Sequence, residues 1–239
     1  MNSASDPLLL THLPWPNVRQ RLVLDQRLLV PIGACDQYGQ HLPIGAASLV
    51  TEVFARQLSH EFEVLRAPLL EYGVNAPPGA RFHGAGTLRE KTLHATLNDL
   101  FASWEDQGFR EFIVLTVHDF DSHVEAAATV TTANSRIRVI ELLNIDVLDL
   151  LSGDGGPEHG GEILTSLMLY LYPDLVWMDR AVDYVPTDRA ISTLRRLPRI
   201  SAESPGSFGQ PTLASAEKGR RLYEAMLERI RTRVFHDGR

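Results

Sequence analysis

Four short apolar runs alternate with longer stretches of helical period, and this alternation limits the fold more than any other feature of the chain. The runs are Arg27–Gly33 (RLLVPIG), Phe62–Leu70, Glu111–Val117 (EFIVLTV) and Arg136–Leu142 (RIRVIEL). Brief apolar runs that end in turn residues read as strands buried on both faces. The segments between them read as helices. Ser48–His60 offers Ser48 as a cap and places Val50, Val53, Phe54 and Leu58 at helical spacing. Leu88–Gln107 is stopped by Gly108, and an Ala/Val-rich helix runs from HDFDSH to about Asn134. A short helix at Trp15–Leu22 precedes the first strand, with Pro16 at an early position where its missing N–H is harmless. A buried helix at Ile163–Pro173 and an amphipathic one at Pro211–Val234, with Leu222, Met226, Ile230 and Val234 on one stripe, follow the last strand.

Strands alternating with helices of this length predict a single α/β domain over residues 1–239. Its sheet should be mostly parallel, with helices on both faces. Ligands in such sheets sit beyond the carboxyl ends of the strands. Three loops qualify: Ala34–Ala47, Tyr72–Gly86 and His118–His123, with the glycine-rich Gly153–Glu162 as a fourth. Residues 180–212 are turn-rich and yield no regular pattern.

The formal net charge of −7 removes a bulk electrostatic footprint for nucleic acid. Cys35 is the only cysteine, so no intrachain disulfide forms, which fits a reducing cytosol. No apolar run reaches the roughly 18 residues of a membrane span, and the N-terminal stretch has neither the basic start nor the apolar length of a signal peptide. The expectation is a cytoplasmic protein with no nucleic-acid and no membrane partner.

The loops carry the candidate chemistry. VPIGACDQYGQHLPIGAAS, residues 30–48, holds Asp36, Tyr38 and His41 just past the first strand. HDFDSH crowds His118, Asp119, Asp121 and His123 into one strand-to-helix turn. Those four could ligate one metal, or Asp121 or Ser122 could simply cap the helix that follows. Asp36 and His118 could meet as a base and its orienter, or as a hydrogen bond lining a polar cavity. Cys35 reads as a small packed hydrophobe rather than a nucleophile. Arg81 and His83 could bind an anion or decorate a surface. His159 and Glu162 could close over a cleft, or Glu162 could charge the start of the next helix.

Taken in order, these loops resemble the creatininase family of amidohydrolases. PIGACDQYGQHLPIGAAS is similar to that family's P-x-G-S-x-E-Q-H-G-P-H-L-P-x-x-T-D, GARFHGAGT to a loop with His four residues before P-G-T, and TVHDFD to N-G-H-G-G-N. HGGEILTSLML is similar to H-A-G-E-x-E-T-S-x-x-L, and GQPTLASAEKGR to a closing G-x-P-x-x-A-x-x-E-K-G-R. The resemblance implies the family's α/β fold, ring-like homo-oligomers that are often hexamers, and two divalent metals serving amide or cyclic-amide hydrolysis. It also implies a frame with altered ligands. The family's first Glu falls on Asp36, the His two residues on falls on Tyr38, and the bridging Asp falls on Ala47. The His before P-G-T falls near Arg81, a later Glu on Phe120 and another on Leu164, while His118, His159 and Glu162 are kept.

A chain with those changes is expected to be a binding or assembly subunit with a protein or peptide partner and no metal. Its candidate catalytic groups are Asp36, His118 and Glu162. Candidate substrate contacts are Tyr38, His41, Arg81, His83, Asp119, Asp121 and His159. The alternative is a working amidohydrolase or peptidase with one Zn or Mn ion, or with a metal-free base.

Overall fold

A computed structural model describes residues 5–77, 82–153, 158–185, 199 and 203–235. Four strands form one parallel sheet: β1 Arg27–Pro31, β2 Leu65–Arg66, β3 Glu111–Thr116 and β4 Arg136–Glu141, in the order β2-β1-β3-β4. Helix α1 (Trp15–Leu24) leads into β1, α2 (Ala46–Phe62) joins β1 to β2, α3 (Glu90–Gln107) joins β2 to β3, and α4 (Asp121–Ala128) joins β3 to β4. Two helices follow the sheet, α5 (Glu162–Leu171) and α6 (Ala216–Ile230). The expected α/β fold with a parallel sheet is what the chain adopts.

Successive strand residues point to opposite faces, so each strand feeds two cores. Leu29, Ile113 and Leu115 join α2, α5 and α6 in one apolar cluster. Leu28, Val30, Phe112 and Val114 pack on the other face with Leu93, Leu97 and Phe101 of α3 and with Ala126 and Ala127 of α4. Both faces are therefore covered, which is why the strands read as nearly continuous apolar runs.

Local departures from the sequence reading have physical causes. Strand β2 is only two residues long, because α2 continues through Phe62 and the N-terminal segment closes the sheet edge, with Arg66 N donating to Leu8 O at 2.8 Å. Helix α2 starts at Ala46, so Ser48 lies inside it and donates its hydroxyl to Ala34 O at 3.3 Å instead of capping. Helix α4 stops at Ala128 rather than near Asn134. The next residues, Thr129 to Thr132, are β-branched and disfavour helix. The buried Glu105 carboxylate then captures the N–H groups of Ala133 and Asn134 at 3.0 and 2.6 Å. Helix α6 begins at Ala216, after a short turn at Pro211–Leu213, with the Ser215 hydroxyl accepting from Lys218 N at 3.2 Å. Gly219 lets α6 approach α5, since any Cβ there would run into the Ser166 carbonyl.

The strand order reverses direction between β1 and β3, which are hydrogen-bonded neighbours. In an open parallel sheet, the crevice outside the carboxyl ends of two such strands is the place for a ligand.

Candidate metal centre

Asp36 follows β1 and His118 follows β3, so the topological switch point places these two side chains opposite each other. His159, two residues before the N-cap of α5, completes the group. One ligand atom from each of the three lies within 4.8 Å of the others. Asp36 Oδ2 stands 4.0 Å from Nε2 of His118 and 4.0 Å from Nε2 of His159. Relative exposures of Asp36, His118 and His159 are 1%, 1% and 4%.

Each side chain is held by its surroundings. Asp36 Oδ1 accepts from Gln37 N at 2.8 Å, whereas Oδ2 has no hydrogen-bond partner. His118 sits between the Tyr38 hydroxyl, 2.9 Å from Nδ1, and the Val74 carbonyl, 2.9 Å from Nε2. His159 places Nε2 2.6 Å from the Gln37 carbonyl and 3.1 Å from the Gln37 side-chain amide. That amide also donates to Gly206 O at 2.9 Å, so the loop before α6 helps to roof the site. Gly160, at φ +62°, brings the backbone after His159 against the Tyr38 carbonyl, where a Cβ would collide.

Burial sets the charges. It raises the Asp36 carboxyl to about 7, against the opposing pull of the Gln37 N–H. Burial also lowers His118 well below the ordinary imidazole range, with His123 and His159 adding to the effect. His159 falls to about 4 for the same reason. Two neutral imidazoles and a buried carboxylate with an unpartnered oxygen are a donor set suited to Zn or Mn. An uncompensated carboxylate oxygen in such a place is costly unless something cationic or protic meets it.

The other sequence candidates are distributed differently. Glu162 is not in this group. It forms an ion pair with Lys218 and accepts from Ser152 N and Gly153 N at 2.8 and 2.9 Å, which fixes these two residues against the start of α5. Tyr38 is buried, with its ring 4.8 Å from that of His159. His41 is buried, with Nε2 2.8 Å from Thr165 Oγ1. The HDFDSH residues separate: His123 turns inward to Thr116 Oγ1 at 3.0 Å and accepts from Val74 N at 3.2 Å, Asp119 is buried, and Asp121 is exposed in the first turn of α4. Neither Asp121 nor Ser122 caps α4, whose N-cap is Phe120. His83 is exposed, Cys35 is partly buried, and Arg81 lies outside the described residues.

Ala47, Leu164 and Tyr38, where the resemblance would put further metal ligands, are members of one apolar core cluster, and Phe120 belongs to the other. Sequence reading overlooked Glu158, whose carboxylate accepts from Ile163 N at 2.8 Å and Leu164 N at 3.1 Å at the start of α5. Burial raises it to about 8, with Glu162 and Asp119 contributing. Its place in PEHGGE, beside His159, was the available signal.

The profile of the creatininase family, described as creatinine amidohydrolase, matches residues 11–234. A creatinine amidohydrolase of Pseudomonas putida is 26% identical over 241 residues, covering 91% of this chain and 92% of its own. A mycofactocin precursor peptide peptidase of Mycobacterium ulcerans is 26% identical, covering 92% and 85%. Among solved structures, one described as creatininase Mn superposes with a TM-score of 0.78 at 26% identity, covering 94% of this chain and 98% of its own. A creatininase variant described as Zn-Zn type gives 0.79 at 25% identity, covering 95% and 98%. The expectation of a chain without metal came from counting ligand positions in the sequence. The group around Asp36, with these Zn and Mn neighbours, fits one ion better than none.

Proposed function

Because this chain belongs to the creatininase family of amidohydrolases, we propose that it hydrolyses a C–N amide bond, in a small cyclic amide or a peptide, with one divalent cation. Asp36, His118 and His159 would hold that cation, Zn or Mn. The single observation that carries the reading is the unpartnered Asp36 Oδ2, buried 4.0 Å from two imidazole nitrogens. Such an ion would supply Lewis-acid polarisation of the amide carbonyl and a lowered pKa for nearby water.

The chain's own residues do the rest. Asp36 brings the negative charge that the cation needs, and burial keeps both histidines neutral. The Tyr38 hydroxyl orients the His118 ring from its Nδ1 side. Asp36, His118 and His159 are all nearly fully buried, so bulk water has little access to them. The apolar surroundings of Ala47 and Leu164 favour one ion over two, because they offer nothing to bridge a pair.

A second reading is a non-hydrolytic binding or assembly subunit, homo-oligomeric and cytoplasmic. The nearly complete cover over Asp36, His118 and His159 favours it. Among the described residues, no helix is long and apolar enough to cross a membrane. Elemental mass spectrometry on untagged protein, purified without chelator, separates the two. About one Zn or Mn per chain, with chelator-sensitive hydrolysis of creatinine or a peptide panel that is lost in His118→Ala, supports the hydrolase. No stoichiometric metal and no hydrolysis would overturn it in favour of the binding subunit.

A further inference from the structure

An imidazole has two nitrogens, and in the neutral ring only one carries a proton. A carbonyl oxygen can only accept. His118 Nε2, 2.9 Å from Val74 O, therefore carries the proton. Nδ1 then has the lone pair and accepts from the Tyr38 hydroxyl, 2.9 Å away. A cation beside Asp36 Oδ2 needs the opposite arrangement, because the lone pair must move to the Nε2 edge, 4.0 Å from that oxygen. The proton must then sit on Nδ1 and find an acceptor.

Among side chains, a hydroxyl can serve both arrangements, donating to a bare Nδ1 and accepting from a protonated one. Carboxylates and carbonyls only accept, and an ammonium only donates. The ring of Tyr38 is also fixed. It is 2% exposed, tilted against His159 with centroids 4.8 Å apart, and edge-on to His118 at 6.1 Å and 88°. Only the hydroxyl hydrogen has to turn. No net charge is created, since one proton is lost at Nε2 and one is gained at Nδ1.

We propose that Tyr38 is a positioning residue for a divalent cation, its hydroxyl holding His118 Nδ1 in both tautomers so that Nε2 can exchange the Val74 carbonyl for the ion. This rests on the proposed single-metal reading. It assigns Tyr38 a place behind the ligand rather than among the groups that touch substrate. The partner behind a metal-bound histidine sets its tautomer and its basicity, and losing that partner commonly weakens metal binding by about 10–100-fold.

The test compares wild type with Tyr38→Phe, which keeps the ring and removes only the oxygen. Zinc affinity is read by competition with a chromophoric chelator, and the His118 tautomer by long-range proton–nitrogen correlation of the imidazoles, assigned with His118→Gln. The expected result is Nε2–H in zinc-free wild type, Nδ1–H in the zinc-loaded protein, and roughly 10–100-fold weaker zinc binding by Tyr38→Phe. Equal affinity in the two proteins would overturn the proposal. So would a His118 already protonated on Nδ1 without zinc. If Tyr38→Phe does not fold, the wild-type spectra with and without zinc decide alone. If wild type shows Nε2–H but binds no zinc, the single-metal reading fails and takes this role of Tyr38 with it, whereas tight zinc binding unaffected by Tyr38→Phe sinks only the latter.

Discussion

Replacing Lys218 by methionine should destabilise the protein by about 3 kcal/mol through the carboxylate it leaves behind. Glu162 and Lys218 form an ion pair with side-chain exposures of 5% and 13%. Lys218 also donates to Ser152 Oγ at 3.0 Å and Leu213 O at 2.7 Å, so one ammonium joins Ser152, α5 and the segment before α6. Breaking a buried pair by removing one partner typically costs about 3–5 kcal/mol, because the remaining charge stays desolvated. Here the lower part of that range applies. Glu162 keeps two backbone N–H donors, Ser152 and Gly153, which stabilise it after the lysine is gone. With a urea m-value of about 3 kcal/mol/M, 3 kcal/mol moves the unfolding midpoint by about 1 M.

The double variant Lys218→Met with Glu162→Gln removes the orphaned charge. It should recover about 2 kcal/mol relative to Lys218→Met alone, the signature of a coupled pair. The pH dependence has a definite sign. Burial alone would raise Glu162, but Lys218 and the two backbone donors outweigh it and hold the carboxyl below its ordinary value. Its stabilising contribution is therefore present above the unfolded pKa and is lost as pH falls through the lower folded value. Lys218→Met should lack that increment. A shift below about 0.3 M urea, or a double variant no more stable than Lys218→Met, would refute the reasoning.

Three further outcomes are expected. Burial lowers His41 to about 4, whereas an unfolded histidine titrates near 6.5, so the contribution of His41 to stability should be fully present above about pH 6.5 and be lost, by up to about 3 kcal/mol, toward pH 4. His41→Gln should flatten that slope in denaturant titrations taken at several pH values. Gly160→Ala should cost about 2 kcal/mol or more by thermal unfolding, since φ is +62° and the new Cβ meets the Tyr38 carbonyl. Asp36→Glu, Tyr38→His and Ala47→Asp together should raise zinc or manganese capacity above that of the parent in equilibrium dialysis, while destabilising the metal-free protein by several kcal/mol because Ala47 is fully buried. No gain in bound metal would show that the loop after β1 does not map onto the family's ligand positions as supposed.

The sequence by itself determined the layers of this protein. Apolar runs such as EFIVLTV can be buried only on both faces, and helices of matching length between them leave a parallel sheet as the solution. The turn-rich loop after β1 and HDFDSH after β3 were legible as site loops, because loops past the carboxyl ends of parallel strands border the crevice. Element ends were less legible. Glu105, distant in sequence, decides where the chain after α4 turns, and a long-range carboxylate leaves no local signal.

Which polar groups meet was decided by the tertiary structure alone. HDFDSH looks like one cluster, but a helix starting at Asp121 sends His123 into the core and Asp121 to solvent while His118 stays at the strand end. Glu162 and His159 look like neighbours in one motif. The turn at Gly160 and Gly161 carries one into the crevice with Asp36 and leaves the other with Lys218. Tyr38, three positions before His41, reads as a lost ligand in one dimension. In three dimensions it stands behind His118. Sequence spacing records the order of side chains along a strand or loop, but their meeting across strands β1 and β3 depends on a strand order that no local pattern contains.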